Sequence, residues 1–266
     1  MGHTRLKPTR EIKIDFHPSE LDEGLVPEES KRKAKEYLTS NKLAEDDIMI
    51  MFDNKVIYGY DYIYNKKKLI LPEVNPVTIF FSNAVMSYGM VNHYRERLLS
   101  ESSEAGKTNQ FVNLNHSGIF FQLAANCIIN LQAAIESFAN RVIPENYLYL
   151  DKTGNVIFPT LSHKLYTTVP KIKKIDFRQA KYKKYNVCID KLIQLRNDII
   201  HLKPVNKTNT GYKGIYRNLL NFDYNKATIA VKTYLNFYEP NLIEECLCGI
   251  DFYFDAIEKP IKKNSL

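Results

Sequence analysis

Three side chains in one short stretch have types suited to proton and phosphoryl chemistry. They are Arg196, Asn197 and His201, within Lys191-Leu-Ile-Gln-Leu-Arg-Asn-Asp-Ile-Ile-His-Leu-Lys-Pro204. Cutting RNA without a metal needs a base for the 2′-hydroxyl proton, an acid for the leaving oxygen and a cation for the charge that builds on the phosphorane. An imidazole serves the first two because its ordinary pKa lies near neutrality. A guanidinium serves the third because its planar fork matches two phosphate oxygens. Asn197 is placed to orient either group. The rest of the chain offers no competing chemistry. Cys246-Leu-Cys248 has the wrong spacing for a zinc knuckle and no histidine near it. Ala105-Gly-Lys-Thr108 follows a predicted helix and lacks the first glycine of a phosphate-binding loop. No metal and no cofactor is therefore expected.

The element that must position these groups is a helix over Asn186–Leu202. Cys188, Leu192, Leu195, Ile199 and Leu202 recur at steps of four and three, the spacing of one helical face. Pro204 stops the helix just beyond. Arg196 is flanked by Ile189, Ile193 and Ile200, so its charge must find an anion or an acceptor. On an α-helix, positions 196 and 201 lie about 140° apart and roughly 7.5 Å along the axis. They do not share a narrow face.

Arg, a polar residue directly after it, and His after four intervening residues resembles the signature of the HEPN-domain family, over roughly Ile119 to Leu202. The resemblance implies an all-helical antiparallel bundle and a metal-independent endoribonuclease of the toxin or abortive-infection, anti-phage type. It implies a composite site in which Arg and His from two copies line one cleft at a two-fold axis. It also implies a carboxylate on the preceding long helix that holds the arginine, for which Glu136 in Ala-Ile-Glu-Ser-Phe is the candidate; a solvent-facing glutamate is the other reading. Many such domains have no activity and bind RNA, nucleotides or partner proteins, so a non-catalytic binding or scaffold module stands as the alternative. An antitoxin or defence-system partner protein is a further expectation. One subfamily carries a modifiable tyrosine two residues after the His; here that position is Lys203.

The charge is unevenly placed. Between Lys164 and Lys191 nine basic residues stand against Asp176 and Asp190, which equals the whole net charge of +7. Among them Lys171, Lys173, Lys174, Arg178, Lys181, Lys183 and Lys184 lead into the motif helix and are expected to draw in RNA beside Arg196 and His201. A solvated loop is the bland reading of the same run.

The remainder is ordinary for a globular chain of 266 residues, with 44% hydrophobic and 25% charged residues. Its four cysteines are too few for a disulfide scaffold and read as reduced. The start, Met1-Gly-His-Thr-Arg-Leu-Lys, lacks a signal peptide's apolar core, and no apolar run is read as long enough to span a bilayer. The expected location is the cytoplasm, without a membrane partner.

The predicted fold is mainly α: a HEPN-like helical domain over 76–266 with a small α+β extension over 1–75. In the extension, strands are expected over Glu11–Phe16, Asp47–Phe52, Lys55–Tyr64 and Leu69–Leu71, with a helix over Glu29–Leu43 and an Asp53-Asn54 turn. Tyr58, Tyr60, Tyr62 and Tyr64 share one sheet face. With the lysines of the Asn65–Lys68 turn, that face can stack unpaired bases; the commoner arrangement is a helix covering it. Helices are then expected over Val77–Leu99, Ile119–Val142, Ser162–Tyr166, Thr228–Tyr238 and Leu242–Ile257. Residues 203–224 read as a polar loop.

Overall fold

The computed structural model describes residues 3–15, 24, 26–52, 55–101, 114–150, 153–202 and 211–246. Expectations that fall elsewhere lie outside the described residues: the Asp53-Asn54 turn, the polar break after Ser100, Lys203, Pro204 and the helix after Cys246. The protein is mainly helical with a small antiparallel sheet. It divides into two compact units, Leu6–Pro76 and a second made of Met1–Arg5 with Val77–Leu266.

The first unit is built on β3 (Lys55–Tyr64), which pairs antiparallel with β1 (Glu11–Lys13), β2 (Ile48–Phe52) and β4 (Lys67–Pro72). Phe52 opposite Lys55 and Tyr64 opposite Lys67 leave two residues in each hairpin loop. Asn65 and Lys66 take positive φ values of 48° and 63°, the primed turn that matches the right-handed twist of the strands. Gly59 is required by space. A Cβ there would stand 2.5 Å from both Ile50 Cδ1 and the Leu71 carbonyl oxygen.

The strand alternates as its pattern demands, but the covered face is the opposite of the commoner expectation. Ile57, Gly59 and Asp61 are buried, while Tyr60, Tyr62 and Tyr64 are each about half exposed. The helix α1 (Glu28–Thr39) reaches the sheet on the Asp61 side, where the Tyr37 hydroxyl donates to the Asp61 carboxylate at 2.6 Å. Burial costs the Asp61 and Lys68 charges, and that cost is offset there by their pairing with each other and by bonds from Tyr37 and the Ala44 N–H and to Ser40. The rest of α1 is polar, laced by the pairs Lys31–Glu28, Arg32–Glu36 and Lys33–Glu29 at 2.7–2.8 Å.

The second unit contains α2 (Pro76–Glu101), α3 (Leu114–Val142), α4 (Leu161–His163), α5 (Val169–Lys173), α6 (Lys183–Ile200), α7 (Lys213–Asn221) and α8 (Tyr224–Tyr238). A π-turn over Lys164–Thr168 joins α4 to α5, so helix runs through a stretch expected to be mostly irregular. By length and composition α3 could cross a bilayer, contrary to the sequence reading. Here it is the central core helix. Phe120, Ala124, Cys127, Ile128, Leu131, Ile135 and Phe138 are fully enclosed and meet α6 and α8. Burial of each large side chain contributes about 1.5–3 kcal/mol.

An aromatic cluster fixes α8 against the chain entering α6. Phe177 stacks on Tyr182 at 4.5 Å and meets Tyr234 edge-on at 5.2 Å. The Phe177 N–H donates to the Tyr238 hydroxyl at 3.2 Å, and the Tyr234 hydroxyl donates to the Leu165 carbonyl at 3.0 Å. Three boundaries differ from the sequence reading. The polar loop contains α7. The last described helix begins at Tyr224, where Asp223 caps it by accepting from the Lys226 N–H at 2.9 Å. Leu242 to Cys246 is not helical; Thr4 bridges Glu245, and the Cys246 N–H donates to the His3 carbonyl at 2.8 Å. This pairing carries residues 3–5 into the helical unit, which local pattern could not reveal.

Candidate nucleic-acid site

α6 starts at Lys183 and ends at Ile200, so His201 is not inside the helix. It caps it, with φ −103° and ψ 53°, and its N–H donates to the Asn197 carbonyl at 2.9 Å. The apolar face fades toward this helix end. Cys188, Ile189, Leu192, Ile193 and Leu195 are buried, whereas Ile200 and Leu202 are about half exposed. The expected face therefore continues to Ile199, which is half-buried against the core, and stops short of Leu202.

Arg196 emerges where burial ends and is half-buried; His201 is exposed. The guanidinium donates from Nη1 to the Asn197 side-chain oxygen at 3.4 Å. Asn197 thus touches both partners, Arg196 through its amide and His201 through its backbone. Among the described residues no carboxylate forms an ion pair with Arg196. Glu136 is half-buried on α3 and makes no ion pair with it, so the expected clamp is not formed within one chain. A guanidinium in this setting has hydrogen-bonding capacity left for an anion.

The basic residues gather at the other end of α6. Lys171 and Lys173 close α5, and Lys174 follows in the left-handed region at φ 56°. Arg178 folds back on Asp176, with Nη2 to Oδ2 at 2.9 Å and its N–H to Oδ1 at 2.8 Å. Those hydrogen bonds hold the Asp176 carboxyl below its ordinary value, and Arg178 remains exposed within the pair. Lys181 and Lys184 lie over the rings of Tyr182 and Tyr185 at 4.9 and 5.0 Å. Lys183 opens the helix. From Lys184 to Arg196 is about 18 Å along the axis, and from Lys183 to His201 about 27 Å. The structure groups these lysines with one another and not with the motif.

Sequence reasoning missed a groove where α6 meets α7 and the start of α8. Its larger half, about 310 Å³, is lined by Lys191, Gln194, Leu195, Asp198, Asn218, Asn221 and Phe222. Its smaller half, about 180 Å³, is lined by Lys184, Val187, Cys188, Lys191, Asn221, Phe222, Asp223 and Lys226. The α6 residues of the groove share one stripe, roughly 140° around the helix from Arg196. Steps of three and four at 184, 187, 191, 194 and 198 were visible, but the helix that completes the wall lay in a presumed loop. Burial pushes the Cys188 thiol up, as it pushes Cys127 up to about 12, so neither sulfur is an activated nucleophile. Among the described residues no three His, Cys, Asp or Glu side chains converge on a metal-sized site. No protein-family model, curated protein or solved structure matches this chain.

Proposed function

We propose that the helical unit is a HEPN-like bundle that cleaves RNA without a metal, acting in the cytoplasm as a toxin or anti-phage effector. The observation that carries this reading is the end of α6: a half-buried Arg196 that, among the described residues, is hydrogen-bonded by the Asn197 amide alone, about 7.5 Å along the axis from an exposed His201. In the proposed reaction an imidazole takes the 2′-hydroxyl proton and that oxygen attacks phosphorus. The bond to the 5′-oxygen breaks, and that oxygen receives a proton from an imidazolium. The products end in a 2′,3′-cyclic phosphate and a 5′-hydroxyl. Arg196 stabilises the phosphorane, and Asn197 holds both groups at their backbone spacing. Because Arg196 and His201 leave α6 in different directions, the proposed site is shared between two copies about a two-fold axis, each supplying Arg and His to one cleft.

The test is incubation of the purified protein with total RNA in EDTA, beside His201→Ala and Arg196→Ala. Cleavage by the parent alone, with cyclic phosphate ends, supports the reading. Equal cleavage by all three proteins overturns it. Full activity from a proven monomer would remove the shared site while leaving the chemistry.

A second reading, a non-catalytic RNA- or nucleotide-binding module, is favoured by one feature. Lys183 and Lys184, at the head of α6, stand about 18 Å or more from Arg196 along the axis, so their contacts with RNA are separate from Arg196 and His201. It is expected to give salt-sensitive RNA binding with no cleavage.

A further inference from the structure

The groove along α6 has the parts of a nucleotide-unit site, divided between its two halves. Lys184 and Lys191 project from α6 two turns apart, about 10.5 Å along the axis, and Lys226 comes from the first turn of α8. All three are exposed at their residues, and among the described residues none forms an ion pair. The acids beside them are already engaged. The Asp223 carboxylate caps α8, accepting from the Lys226 N–H at 2.9 Å, and Asp198 accepts from Gln194 Nε2 at 2.9 Å. The smaller half is therefore a cationic seat above a floor of Val187, Cys188 and Phe222. The larger half differs: Gln194, Asn218 and Asn221 offer amides beside Leu195 and Phe222, and Asp198 makes its far end hostile to a phosphate.

Cations at one end, amides and an aromatic ring at the other, suit a phosphate joined to a base. Amides hydrogen-bond base edges, and an aromatic face takes a base's flat surface. An acidic peptide would also use the lysines and pair its backbone with the amides, so the polyglutamate arm of the test below sets it apart from RNA. We propose that this groove binds single-stranded RNA, seating backbone phosphates on Lys184, Lys191 and Lys226 and an adjoining base among Gln194, Asn218, Asn221 and Phe222. The choice of RNA over another phosphorylated ligand rests on the proposed function. The stripe also runs for about 21 Å from Lys184 to Asp198, toward the helix end that carries His201.

The test uses the full chain carrying His201→Ala, so that the probe survives, and a labelled single-stranded oligoribonucleotide. Adding K184Q, K191Q and K226Q is expected to weaken binding at least about tenfold. Three lost phosphate contacts should also make the slope of log K against log salt shallower by about 2. Photocrosslinking of 4-thiouridine RNA to the protein with all three lysines present should mark the α7–α8 segment around Asn218 to Phe222. Unchanged affinity and slope in the triple variant, or crosslinks that avoid α7 and α8, would overturn the assignment. So would a polyglutamate peptide that binds with the same lysine dependence where RNA does not. The outcomes separate the two proposals. RNA bound through the lysines by a protein that cleaves nothing supports the groove and removes the catalytic reading. Cleavage by the parent, with lysine-independent binding, does the reverse.

Discussion

Two enclosed cations of this protein are treated in opposite ways. In the sheet unit the Lys68 side chain is 1% exposed and fully partnered. Its ammonium pairs with Asp61 at 3.3 Å, donates to Ser40 Oγ at 3.2 Å and to the Lys42 carbonyl, and sits 3.7 Å over the Tyr37 ring. Asp61 in turn accepts from Tyr37 and from the Ala44 N–H at 3.1 Å. In the helical unit the half-buried Arg196 has, among the described residues, a single hydrogen bond of 3.4 Å, to a neutral amide. Burying a charge is tolerable only when acceptors replace water. Lys68 is thus part of the architecture, whereas Arg196 keeps donor capacity that, in the proposed function, an RNA phosphate takes up.

That contrast can be broken or sharpened by measurement. The largest expected effect is on chemistry. His201→Ala should lower RNA cleavage by about 10²–10⁴ and Arg196→Ala by about 10²–10³, while thermal unfolding of the helical unit shifts by less than about 1 kcal/mol. A large stability loss from Arg196→Ala would make it architectural, like Lys68.

Asp61→Asn should do the converse: destabilise the sheet unit, seen in urea or thermal unfolding, and leave the cleavage chemistry of the helical unit alone. Its pH signature is specific. The Tyr37 hydrogen bond, then the Ala44 and Lys68 contacts, hold the Asp61 carboxyl below its ordinary value against the cost of burial. The native state therefore binds this proton less readily than the unfolded chain. The contribution is present above the ordinary carboxylate value of 3.8 and is lost as pH falls through the lower native one. Burial, with the Asp61 bond added, pushes the Tyr37 phenol up to about 12. That contribution is complete below 10 and fades as pH rises through about 12. Acid unfolding of the sheet unit unaltered by Asp61→Asn would refute this account.

Gly59→Ala should cost the sheet unit about 1–3 kcal/mol, since the new methyl meets the Leu71 carbonyl as well as the movable Ile50 side chain. Urea unfolding of the same unit measures it, and a neutral result would mean β2 and β4 can part there. The smallest effect is anion protection. Inorganic phosphate near ten times its dissociation constant should stabilise the parent by about 1.4 kcal/mol, with part of that lost in Arg196→Ala. Identical protection of both proteins would place the anion away from α6's end.

Much of the framework was legible because it is local. The sequence placed strands over Asp47–Phe52 and Lys55–Tyr64, within one residue of β2 and β3, and helical spacing found α2, α3 and most of α6. α7 was missed although Ile215, Leu219 and Leu220 fall on one side of it, because nine residues that include Gly214 are too short a run for helical spacing to stand out from a polar loop. The helical run from Leu161 to Lys173 was hidden by Pro170, which is tolerated near the start of α5. The expected Glu136 clamp failed for a related reason. A sequence shows which helix carries a carboxylate, not which way the helix is rotated about its neighbour.

Residue types and spacing alone determined that a guanidinium, an amide and an imidazole would fall at one end of a helix behind a basic segment. Period and side-chain chemistry suffice for that. Tertiary structure decided the rest: that the lysines stand at the opposite end of α6, that α7 and α8 turn a helical stripe into a groove, that Asp61 rather than the tyrosines is enclosed, and that residues 3–5 join the helical unit. Each depends on which surfaces meet across long sequence separations. Burial energy over the whole chain makes that choice, and no local pattern encodes it.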